Sequence, residues 1–100
     1  MFLVRDIMYC QPGKARAMVD KFLALSAISQ QLGMGPTRVM TDVSAERYWT
    51  VVSEREVDSL EALGERMNQA MADPEVQAVM KGYHDLIETG RREVYTIEKK

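Results

Sequence analysis

His84 is the only histidine in this sequence of 100 residues, and so the only side chain whose ordinary pKa lies near neutrality. On a helical wheel it falls at the edge of an apolar stripe formed by Val76, Met80, Tyr83 and Ile87. An imidazole there could reach the space between a helix and a sheet and act as an acid or base. A lone histidine on a helix flank more often sits partly in solvent. The one tryptophan, Trp49, lies in the run Tyr48-Trp49-Thr50-Val51-Val52. It could wall an aromatic pocket, although a core or interface position is the commoner fate of a single tryptophan. Arg5 and Asp6 are neighbours near the start of the chain. If they lie in a central strand they point to opposite faces, and each needs a partner, because an unpaired buried charge is costly. Arg38, Arg47, Arg55, Arg91 and Arg92 with Glu54, Glu56 and Glu93 are numerous enough to pair across strands. A guanidinium left over, Arg5 or Arg92, would be free to hold an anionic or enolate group.

The remaining reactive residues offer less. Cys10 is the sole cysteine, so neither an intrachain disulfide nor a CxxC zinc site can form, and no histidine beside it would activate the thiol. Met18, Met67, Met71 and Met80, among eight methionines, lie near helical stripes and read as fillers of irregular core gaps. Gly33-x-Gly35 is a helix terminator rather than a phosphate loop, since no Lys-Ser/Thr follows it. No metal set or cofactor motif is present.

The elements that would position these residues follow from periodicity. Residues 2–9 are rich in β-formers and mostly apolar on both faces, Phe2/Val4/Asp6/Met8 and Leu3/Arg5/Ile7/Tyr9, which predicts a strand covered on both sides. Gln11-Pro12-Gly13 marks a turn, and a helix is expected over about 13–33 with the stripe Met18, Phe22, Leu25, Ile28, Leu32. Thr37–Val43 and Arg47–Glu56 read as two strands of a hairpin turning at Asp42–Glu46. Asp58 with Glu61 opens a second helical stretch carrying Leu60, Leu63, Met67 and Met71. Asp73-Pro74-Glu75 restarts it as N-cap, N1 proline and first-turn acid. Val76, Val79, Met80, Tyr83 and Ile87 continue the stripe, Gly90 ends it, and Arg91–Glu98 forms the last strand.

With 46% apolar and 28% charged residues and a net charge of −2, the chain is ordinary for a globular protein of one domain over residues 1–100. No basic block points to nucleic acid and no polybasic helix to a membrane surface. No apolar run approaches the roughly 20 residues of a membrane span. The first residues lack the apolar core of a signal peptide, and a cytoplasmic location is expected.

The order β-α-β-β-α-β predicts an α+β, ferredoxin-like fold. Two split β-α-β units interleave into a four-stranded antiparallel sheet with its helices on one face. The other face stays bare, yet the first strand is apolar on both, so a second copy is expected to cover it. The run Val4-Arg5-Asp6-Ile7-Met8-Tyr9-Cys10-Gln11-Pro12-Gly13-Lys14 resembles the opening of dimeric α+β barrel proteins, especially the NIPSNAP-like group. Ala72-Asp73-Pro74-Glu75 is similar to the same group's pattern. The resemblance implies a homodimeric α/β barrel. It also implies kinship with small cofactor-independent monooxygenases of quinone-forming pathways and with haem-degrading monooxygenases. In the former, a strand tryptophan lines a pocket with polar partners for a phenolic substrate, which would make Trp49, Tyr83, His84 and Arg92 the pocket set here. In the latter, a helix histidine ligates iron, but the asparagine and tryptophan that accompany it have no match at their usual spacing, so no haem is expected at His84.

Three functions fit these readings. The first is a dimeric barrel that binds a small organic molecule between sheet and helices, with no cofactor and with Trp49, Tyr83, His84, Arg5 and Arg92 as pocket candidates. The second is a cofactor-independent monooxygenase of an aromatic or polyketide-like substrate. The third is a structural or interaction protein with a packed barrel. A cavity separates the first two from the third.

Overall fold

A computed structural model describes residues 1–100. The strands are β1 (Phe2–Cys10), β2 (Thr37–Thr41), β3 (Thr50–Val57) and β4 (Ile87–Thr96). The helices are α1 (Ala15–Gln31), α2 (Leu60–Ala72) and α3 (Pro74–Met80), followed by a 3-10 turn at Tyr83–Asp85. The sheet order is β2-β3-β1-β4, antiparallel throughout. This is the ferredoxin-like α+β arrangement that the element order predicts.

Period two along β1 divides its side chains between two environments. Val4 and Cys10 point to the helix side. Val4 packs with Val57 and Leu63, while Cys10 packs with Met18, Val19, Phe22 and Val51. Met18, Val4 and Val51 are fully buried, and each such side chain contributes about 1.5–3 kcal/mol relative to exposure. The other parity, Arg5, Ile7 and Tyr9, lies on the opposite face, lining a groove with residues of the β2–β3 loop; Ile7 and Tyr9 are buried there within the single chain. The molecule is therefore a slab, 35 × 35 × 18 Å, with one layer of sheet and one of helices. No helix is long and apolar enough to cross a membrane.

Several boundaries differ from expectation, the end of β2 among them, at Thr41 rather than Val43. The hairpin closes late: Asp42 Oδ1 accepts from Thr50 N at 2.9 Å and Asp42 N donates to Thr50 O at 3.2 Å. Arg47, Tyr48 and Trp49 thus belong to the loop, and Trp49 precedes the strand instead of sitting within it. At the start of α2 the cap is Ser59, whose Oγ accepts from Ala62 N at 3.0 Å, rather than Asp58. The Asp73 cap is as expected, its Oδ1 accepting from Glu75 N at 2.8 Å and Val76 N at 3.3 Å.

The second helical stretch stops at Met80, because Gly82 takes a left-handed conformation, φ 82°, which glycine adopts at no steric cost. His84 consequently rides on the 3-10 turn, Ile87 belongs to β4, and Gly90 lies inside that strand. Gly90 is paired with Met8, and a Cβ there would stand 2.8 Å from Met8 Sδ and 3.3 Å from Ile7 O. Gly90→Val should cost about 1–3 kcal/mol by overpacking, read as a lower urea midpoint with an unchanged slope.

Candidate functional site

The two apolar clusters do not meet. Between them, the helix-facing row of the sheet turns polar. Asp6 is paired across the ladder with Ser53 on one side and Arg92 on the other, and Arg55 follows Ser53 on the same face of β3. Above this row the helices present small residues, Ser26 and Ser29 from α1 and Ala70 from α2. Polar groups below and short side chains above leave a half-enclosed cavity of about 480 Å³, within the range of roughly 300–1,000 Å³ typical of ligand pockets.

Methionines supply much of its apolar wall: Met8, Met34, Met67, Met71 and Met80. Met80 packs against the cluster around Met18 and Met67 against the cluster around Val4, as expected of gap fillers, and both also line the cavity; only Met18 of the expected fillers is fully buried. Met71 is well exposed, which puts it at the mouth.

The charges are unequal. Asp6 is the one carboxylate in the walls, against Arg55, Arg66 and Arg92. Arg92 Nε donates to Asp6 Oδ1 at 2.6 Å, so this pair is closed. Arg55 and Arg66 have no carboxylate within ion-pairing distance and make no side-chain hydrogen bond. Burial pushes the pKa of the Arg55 guanidinium down; Asp6 pulls it back up, and the like charges of Arg92 and Arg66 lower it again. It remains a cation, as arginine does in proteins.

Of the residues proposed from sequence, the structure brings Tyr83 and Arg92 into the walls. The other three lie elsewhere. His84 is exposed, its ring tilted 34° against that of Tyr83 at 3.9 Å. Trp49 is outside the cavity walls, 43% exposed, with φ 61°. Arg5 is on the opposite sheet face, bonded to Glu54 at 3.0 Å and 3.9 Å from Glu93. Arg38 shares the same Glu54 carboxylate. Neither Arg5 nor Arg92 is the guanidinium left over; Arg55 and Arg66 are. The signal for Arg55 was present in the alternation Val51-Ser53-Arg55-Val57, which places two polar residues on an otherwise apolar face; no such pattern marks Arg66 on α2.

The Cys10 thiol is buried, and burial, with the nearby charge of Asp42, pushes its pKa up. This disfavours the thiolate that nucleophilic chemistry needs. Nowhere do three His, Cys, Asp or Glu side chains gather in a way that could hold a metal ion.

The cavity's roof is held from below. Helix α3 contributes Val76, Gln77 and Met80 to the walls but buries no residue of its own, and at this length it is not stable alone. Lys21 of α1 donates from Nζ to Val79 O at 2.7 Å and Lys81 O at 2.9 Å. A cation on the last carbonyls of a helix satisfies them and opposes the dipole. Gln77 Nε2 donates to Met71 O at 2.7 Å, tying α3 to α2. Lys21→Met should release α3: amide protons of residues 76–81 should lose hydrogen-exchange protection, with a global loss of about 1–2 kcal/mol.

No protein-family model and no curated protein matches the chain. Solved structures do. Protein Atu4242 from Agrobacterium tumefaciens is similar over 96% of this chain and 92% of its own, with a TM-score of 0.81 and 20% identity. A NIPSNAP domain protein from Burkholderia xenovorans is similar over 97% and 94%, with a TM-score of 0.78 and 16% identity. A candidate antibiotic biosynthesis monooxygenase from Deinococcus radiodurans is similar over 100% and 95%, with a TM-score of 0.69 and 15% identity. At such identities the likeness is one of fold: the chain has the architecture of NIPSNAP-family structures, as the opening strand and the Asp-Pro-Glu turn lead one to expect.

Proposed function

We propose that the protein binds a small organic molecule in the cavity between sheet and helices, and that it does so as a homodimer joined through the opposite sheet face. The observation that carries the first part is the half-enclosed space itself, walled by methionines and floored by the Asp6–Arg92 pair and Arg55. It favours a binding protein over a packed scaffold. The walls offer no histidine, and their one carboxylate is tied to Arg92, so binding has more support than proton abstraction from a substrate. The monooxygenase set of Trp49, Tyr83, His84 and Arg92 is not gathered in one place.

Support for the dimer comes from the β2–β3 loop and the face beneath it. Val43 and Tyr48 are almost wholly exposed, and Met40, Trp49 and Tyr95 are substantially so. Trp49 holds this position in a left-handed conformation that costs a non-glycine residue about 1 kcal/mol or more. A second copy laid on this face would cover these groups and complete an α/β barrel.

Two measurements test the reading. A neutral fluorescent probe, N-phenylnaphthylamine, should bind saturably at one site per chain, and the double substitution Ser26→Phe/Ala70→Phe should abolish that binding while leaving the circular dichroism unchanged. Absence of binding, or indifference to the substitutions, would end the ligand reading. Light scattering at micromolar concentration should give twice the chain's mass. Trp49→Gly should keep or raise the stability of the fold and shift the mass toward one chain; a wild-type monomer would refute the dimer.

A further inference from the structure

The cavity's charge balance says more than that something binds. Three guanidiniums and one carboxylate face it, and the carboxylate of Asp6 is spent on Arg92 at 2.6 Å. Arg55 and Arg66 come from different elements, β3 and α2, so folding brings two unpaired cations to one space. Arg55 is part-buried on the sheet floor, beside Ser53 and below the helices. A cation withdrawn from water without a partner costs free energy, and an anion that enters would recover it. The rest of the wall is apolar and adaptable, because methionine side chains repack at low cost.

We infer that the cavity takes an amphipathic organic anion, a carboxylate on a flexible apolar body, with Arg55 and Arg66 meeting the headgroup and the methionines enclosing the tail. The inference rests on the ligand-binding reading above. Guanidinium forks match a carboxylate bidentately. Net positive charge behind apolar walls attracts anions and repels cations more strongly than the same charge in open water. Ser26 and Ser29 on α1 leave room for the tail between the layers.

Titration calorimetry with decanoate, 1-decanol and decylammonium tests this. Decanoate should bind at one site per chain at least tenfold more tightly than decanol, and decylammonium should not bind measurably. Raising salt should weaken decanoate and leave decanol unchanged. Arg55→Gln and, separately, Arg66→Gln should each lower decanoate affinity about tenfold, roughly the worth of one charged hydrogen-bonded contact, without altering decanol. Arg55→Lys should restore part of the loss. If decanol binds as tightly as decanoate, or if neither glutamine variant changes the preference, the anion inference is overturned while the ligand reading stands. If no decyl compound binds but N-phenylnaphthylamine does, the outcome is the same. If neither the decyl compounds nor the neutral probe bind, both fall together.

Discussion

The central strand carries two adjacent opposite charges, and everything around it is arranged to accommodate them. Arg5 and Asp6 must leave β1 on opposite faces. On the outer face Arg5 meets Glu54, which is 4% exposed and also holds Arg38. On the inner face Asp6 meets Arg92. The inner pair stands where an apolar rung would otherwise join the two hydrophobic clusters. Its presence divides the core and leaves the space that the helices roof over.

The same pair decides which arginines are free. Had Asp6 faced Arg55 on β3, Arg92 would be the unpaired cation. The antiparallel register instead sets Asp6 opposite Ser53 and Arg92, and the ion pair forms with β4. Arg55, one pleat further along β3, is left among like charges. Specificity in such a site comes from what the register does not neutralise.

The fold was legible from periodicity and punctuation. The alternating apolar faces of residues 2–9, the stripe through Met18, Phe22 and Ile28, and the Asp73-Pro74 restart each encode a local geometry with few alternatives. The site was less so. Trp49 sits in a run of β-formers, yet its left-handed φ takes it out of the strand, beside the side-chain bonds of Asp42 and Thr50 that close the hairpin. The apolar stripe runs on through Tyr83 and Ile87 and does not show the left-handed φ of Gly82 that ends the helix before His84. Which of several arginines is paired depends on register and rotamer, and neither is written in spacing. Arg55 was visible as a polar residue on an apolar face, but its lack of a partner became visible only in three dimensions.

The slab's thickness of 18 Å has a consequence for whatever enters. Two layers fill that depth almost entirely, so there is no room for a long molecule to stand upright between them. A ligand bound as proposed would have to lie flat, running along the plane of the sheet, where the extents are 35 Å. Selection by length would then be set at the mouth of the cavity, where Met71 is exposed, and selection by headgroup at the polar rung inside.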